Sequence, residues 1–177
     1  SSGVGGVVWK DVVGEVRPED AARLLGWRFE PGDQVVITGL RRDGVAGGRV
    51  TNACVERDVL LDRLAGEVGS TFLSNVCSGR DVYFTLAEAS GRDGGISSRL
   101  RKNEVGSVIG LYADLDVKEG GGFKSESEVR SFIDWVDSRL PVGCVVMTGT
   151  GGAHLYWKLA ERVDAGERRQ RTDEADV

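Results

Sequence analysis

Val108–Asp116 reads VIGLYADLD, an apolar run that ends in two aspartates one residue apart. In a strand, successive side chains alternate between faces. Asp114 and Asp116 then point one way, while Ala113 and Leu115 point the other way into a core. Two carboxylates side by side repel and lose hydration, so something must compensate. A hard divalent cation is the usual answer, since Mg²⁺ is held by one or two carboxylates together with substrate phosphates. The plainer alternative is a strand that simply runs out into solvent.

The chain has 177 residues, enough for one domain with a real core. Its composition is ordinary for a soluble globular protein except for 26 glycines. No apolar run approaches membrane-spanning length and no signal peptide is visible, so the expected setting is the cytoplasm, with no membrane partner. The three cysteines, Cys54, Cys77 and Cys144, are odd in number and widely spaced, which fits neither a disulfide framework nor a zinc site. A net charge of −5 argues against a protein that merely coats DNA. It leaves room for an enzyme that carries a local basic stripe beside an acidic metal site.

Ser1–Gly6 is small and glycine-rich, and Val7–Val16 suits a short strand. Pro18-Glu19-Asp20 ahead of AARLLGW has the proline and acids that open a helix. Pro31-Gly32-Asp33 is a turn, and Gln34–Leu40 a strand. Arg41–Arg49 reads as a loop. Asp58–Val68 has the spacing of an amphipathic helix, with Val59, Leu60, Leu64 and Val68 apolar. Thr71–Val76 and Asp81–Leu86 are the next strand candidates. Ser90–Lys102 is a polar, glycine-rich linker carrying Arg92, Arg99, Arg101 and Lys102. A flexible basic segment of this kind can meet nucleic-acid phosphates, or be merely solvated.

Beyond the aspartates, Lys118–Phe123 (KEGGGF) is a loop. Ser125–Leu140 is the clearest helix, with Ser125 as N-cap and Glu128 completing a capping box. Val129, Phe132, Ile133, Val136 and Leu140 form its apolar stripe, and Pro141 stops it. Cys144–Thr148 is a short buried strand, Gly149–Gly152 a tight turn, and Ala153–Leu159 a strand. On that strand His154, Tyr156 and Lys158 share one face, and Ala153, Leu155 and Trp157 the other. Glu161–Val177 is charged, with little to bury.

Four features therefore come in sequence: a strand ending in D-x-D, a helix, a strand running into TGTGG, and the chain's single histidine opening the strand after it. Glycine lets a backbone approach a ligand closely, and free N–H groups suit phosphates. Histidine and lysine on one face add donors for the same anion.

This combination resembles the archaeo-eukaryotic primase superfamily, in particular the primase–polymerase domains of phage and plasmid replication proteins. LYADLD (Leu111–Asp116) is similar to that family's first motif, and MTGTGGAHLYW (Met147–Trp157) to its second. The resemblance is close over residues 108–158 and looser from residue 81. It implies an α+β fold with a mixed sheet flanked by helices, an RRM-like catalytic core. The expected organisation is one domain over 1–177, with an N-terminal αβ part (1–70) and a catalytic part (71–177). The implied activity is template-directed nucleotidyl transfer, a DNA primase or polymerase using two Mg²⁺ or Mn²⁺ ions, with DNA template and primer and nucleoside triphosphates as partners. A helicase module or partner often accompanies such domains.

By the resemblance, Asp114 and Asp116 are the metal ligands and His154 holds the triphosphate, with Gly151 and Gly152 placing backbone near it. Lys158 joins them on strand geometry. Two departures stand out. The family often has serine two residues before the histidine, where this chain has Gly152; either one phosphate-binding hydroxyl is then absent, or Thr148 or Thr150 substitutes for it. The family's third motif, an aspartate after an apolar residue, has Asp176 about where it belongs, with Asp173 as competitor. The rival functions are a metal-dependent nuclease, which uses the same carboxylates, and a non-catalytic nucleic-acid-binding domain of a replication complex.

Overall fold

The computed structural model describes residues 18–41, 51–65, 80–89 and 104–165. The expectations for Val7–Val16 and Thr71–Val76, and for most of Arg41–Arg49 and Ser90–Lys102, lie outside these residues, as do Asp173 and Asp176. Three helices and seven strands are described: α1 (Pro18–Arg28), β1 (Gln34–Arg41), β2 (Thr51–Glu56), α2 (Arg57–Ala65), β3 (Arg80–Phe84), β4 (Ala87–Glu88), β5 (Ser107–Leu115), α3 (Glu126–Asp137), β6 (Cys144–Met147) and β7 (Ala153–Asp164). The fold is α+β. The pairings β1–β2, β1–β3, β4–β5 and β6–β7 are all antiparallel, where a mixed sheet was expected. Local connectivity gives one reason: the few residues between β6 and β7 can join only antiparallel neighbours, since a parallel pair needs a long crossover.

The chain divides into two compact units. The first lies within Arg17–Gly110 together with Leu159–Val177. Its sheet has the order β2-β1-β3. Val35, Val36 and Ile37 of the central strand are all buried, as a strand covered on both faces requires. Leu25 and Phe29 from the α1 end, Leu60 and Leu64 from α2, and Ile109 from the start of β5 complete this core. Val59, expected to share the α2 stripe, is exposed; Leu60 and Leu64, four residues apart, are buried in the core, with Leu61 packed at its edge. Strand β2 was not anticipated, because TNACVE alternates only small or weakly apolar residues with polar ones.

This unit also buries charge. Asp33 is 5% exposed and receives both Arg162 guanidinium nitrogens, each at 2.6 Å, as well as the Glu30 amide at 2.6 Å. Arg162 belongs to the extension of β7 to Asp164, beyond the strand end expected at Leu159.

The second unit is Leu111–Lys158, which contains both sequence motifs. Its strands lie in the order β5-β7-β6. Leu115, Val129, Ile133, Ala153 and Leu155 form the core, with Ala113, Val145, Met147 and Trp157 packed around them. The Ser125 hydroxyl accepts the Glu128 amide at 3.3 Å, while the Glu128 carboxylate accepts from the Lys124 amide at 2.8 Å, one residue earlier than the expected return bond. Val129 and Ile133 are fully buried, but Phe132 and Leu140 of the expected stripe are exposed. Phe132 instead packs on Phe123 and Trp135, at 5.2 and 5.6 Å between ring centroids. The helix runs to Asp137, although the Leu140 amide still donates to the Val136 carbonyl at 2.8 Å ahead of Pro141, and the Asp137 carboxylate accepts the Val142 amide at 2.7 Å. Strand β6 is half-buried along its length rather than buried.

Candidate acidic and histidine site on an open sheet face

Strand β5 carries its alternation through to the aspartates. Ala113 and Leu115 face the core, while Asp114 and Asp116 are exposed. Asp116 lies one residue past the strand end. A Cβ on Gly152 would overlap the Leu115 carbonyl oxygen, and one on Gly122 would stand 2.7 Å from the Asp116 carbonyl oxygen. Two glycines from different loops thus let backbone close in on consecutive carbonyls of the acid-bearing segment. Gly122 has φ +91°, a conformation that side chains rarely adopt.

The loop after Asp116 folds back onto it. The Phe123 amide donates to the Asp116 carbonyl and the Lys118 amide to the Phe123 carbonyl, both at 3.1 Å. Val117 and Phe123 form a parallel bridge. These bonds place Lys118 beside the acids, and its ammonium donates to Asp116 Oδ2. That hydrogen bond and the Asp116 charge, with a smaller contribution from Asp114, hold the Lys118 pKa above its ordinary value.

Strand β7 brings in the histidine. His154 Nε2 is 3.5 Å from Asp114 Oδ1. On its other side His154 Nδ1 is 3.5 Å from the Tyr156 hydroxyl. A hydroxyl donating to Nδ1 would leave the proton on Nε2, facing the Asp114 carboxylate. The Tyr112 ring meets His154 edge-on at 5.4 Å and Tyr156 at the same distance. Tyr156 is buried and Tyr112 partly exposed, so the imidazole stands between a fixed aromatic floor and an open rim.

The TGTGG turn is closed by the Thr148 amide donating to the Gly152 carbonyl at 2.9 Å and the Gly151 amide to the Thr148 carbonyl at 3.2 Å. Gly151 has φ +84°, and a Cβ there would touch Glu126 at the start of α3. Gly152 is buried. The glycine requirement at these two positions therefore comes from the protein's own packing, and the open part of the turn is Gly149–Thr150. Thr148 and Thr150 share a hydroxyl contact of 3.1 Å. Lys158 is exposed and shares the His154 parity on β7.

His154 thus lies beside Asp114, and Gly152 of the turn backs onto the Leu115 carbonyl between the two aspartates. Arg92, Arg99, Arg101, Lys102 and Asp176 lie outside the described residues. Tyr112 and Lys118 join the site beside the residues expected from the sequence. Both obey the alternation that selected the aspartates, since positions 112, 114, 116 and 118 follow at intervals of two.

Among the described residues no group of three His, Cys, Asp or Glu side chains is gathered closely enough to hold a metal ion. Asp114 and Asp116 supply two exposed oxygen donors, which suits one hard cation whose remaining ligands are water and phosphate. A second ion would need a further carboxylate, and the one expected, Asp176, is outside the described residues. Among the described residues Cys54 and Cys144 are thiols outside any disulfide, and no helix is long and apolar enough to cross a membrane.

The class defined by fold and site is an α+β protein with an acid–histidine cluster on an exposed sheet face. No protein-family model, curated protein or solved structure matches the chain.

Proposed function

We propose that the chain is a template-directed nucleotidyltransferase, a primase or polymerase acting on DNA with nucleoside triphosphates. The observation that carries this reading is the exposed pair Asp114 and Asp116, with His154 Nε2 3.5 Å from Asp114 and Gly152 of the TGTGG turn against the Leu115 carbonyl between them. Asp114 and Asp116 would hold Mg²⁺ or Mn²⁺, which in such reactions stabilises the attacking and leaving oxygens of an in-line displacement. His154 Nε2, with Tyr156 and Tyr112 against the ring, would donate to a phosphate oxygen in place of Asp114. An imidazole is a poor ligand for Mg²⁺, so the anion is its better partner. Thr148 supports the same reading. Its Oγ1 stands 3.0 Å from where a Cβ at position 152 would be, so it offers a hydroxyl close to the place of the serine that Gly152 replaces.

The test is primer extension and de novo synthesis with Mg²⁺ or Mn²⁺ and each nucleotide type. The wild type extends a primer, and Asp114→Ala/Asp116→Ala does not, while still binding DNA. Synthesis by the double variant would remove the metal assignment. A metal-dependent nuclease would use the same two carboxylates for hydrolysis. In the same assay that reading shortens the primer.

A further inference from the structure

The side chain nearest the metal ligands comes from the chain itself. We propose that Lys118 is the resident cation of the acidic pair in the free protein, and that it gives up Asp116 when metal and nucleotide bind, its ammonium passing to the phosphates. The inference rests on the metal reading above.

Three observations carry it. First, Lys118 sits on Asp116 Oδ2, an oxygen that a bound cation would need. Secondly, its backbone is fixed while its side chain is not. The Lys118 and Phe123 amide bonds and the Val117–Phe123 bridge pin the loop, yet the Lys118 side chain is 65% exposed at the end of a flexible four-carbon stem. It can leave Asp116 without unfolding anything. Thirdly, an exposed Lys–Asp pair is weak and readily exchanged, unlike the two-nitrogen fork that Arg162 makes on the buried Asp33.

The charges then dictate a coupling. The groups facing the ammonium are Asp116 and, further off, Asp114, with His154 on the far side of Asp114. An ammonium and a divalent cation repel when they share a carboxylate. Metal alone therefore binds against Lys118. Metal with a triphosphate gives Lys118 a new anionic partner, so each tightens the other's binding. Position 118 would make the free site reluctant to take metal without nucleotide.

The test is a titration of the full chain with MnCl₂, read by electron paramagnetic resonance or calorimetry, with and without a non-hydrolysable nucleoside triphosphate. Lys118→Met should bind Mn²⁺ alone about tenfold more tightly than wild type, with Lys118→Arg close to wild type. The triphosphate should tighten Mn²⁺ binding in the wild type and much less in Lys118→Met. Equal Mn²⁺ affinity in wild type and Lys118→Met, with loss of Mn²⁺ in Asp114→Asn/Asp116→Asn, would overturn the role of Lys118 and leave the metal site standing. Undiminished Mn²⁺ binding in the double asparagine variant would overturn the metal site and the inference together.

Discussion

Asp33 and Asp116 are both aspartates paired to a basic side chain, one in each unit, and they have opposite characters. Asp33 is buried, gripped by the two nitrogens of Arg162 and by the Glu30 amide. Asp116 is exposed and held by one flexible lysine. A planar guanidinium matches a carboxylate at two points and is weakly hydrated, so it suits a permanent buried pair. An ammonium is a compact, strongly hydrated charge that leaves easily. The first pair joins parts of the chain distant in sequence, and the second keeps a carboxylate solvated and ready to exchange its partner. The contrast separates charge that holds a fold from charge that can do chemistry.

The largest expected effect on stability comes from the buried member. Asp33→Ala leaves Arg162 and the Glu30 amide without their acceptor and should cost about 2–3 kcal/mol in urea unfolding. Asp116→Ala should leave the unfolding midpoint within experimental scatter. Equal losses in the two variants would break the comparison. Next comes His154→Ala, which should weaken triphosphate binding by about one to two orders of magnitude at fixed Mg²⁺, as loss of a charge-assisted contact does. Template binding should hardly move. Unchanged triphosphate affinity would make His154 a packed histidine and return the face to a plain strand pair.

The smallest effect concerns a group that is neither a paired charge nor in the site. Burial pushes the Cys144 thiol above its ordinary pKa. Native protein should therefore be alkylated by iodoacetamide more slowly at mildly alkaline pH than the urea-unfolded chain, because the thiolate is the nucleophile. The sign carries over to stability. As pH rises through the ordinary thiol range, about 8.5, the unfolded chain loses its proton first and stability falls. A native thiol that reacts as fast as the unfolded one would contradict the burial.

Much of the site could be read from the sequence because it depends on short-range rules. Alternation along VIGLYADLD put Ala113 and Leu115 inside and the two aspartates outside, and the capping residues placed the start of α3. What escaped was long-range or chemically ambiguous. Strand β7 continues to Asp164, and its Arg162 reaches a partner far away in the chain, Asp33. The sequence Glu161–Asp164 taken alone looks merely solvated. The counter-charge for the aspartates was sought outside the protein, yet Lys118 supplies it from a loop whose glycines gave no hint of where the lysine would fold. At the end of α3 the Asp137 carboxylate accepts the later Val142 amide, a contact that helix periodicity does not encode.

Gly152 constrains how this site can change over generations. Every L-residue other than glycine places a Cβ there, and that atom overlaps the Leu115 carbonyl oxygen, one residue from each aspartate. Serine at 152 would therefore displace the acidic segment before it could offer its hydroxyl, and Gly152→Ser should lose function where a motif comparison would expect a gain. A lineage starting here could reach the serine only after an earlier change near Leu115 had made room, so the order of mutations would matter. Thr148, already beside that space, gives a lineage little reason to take the longer path.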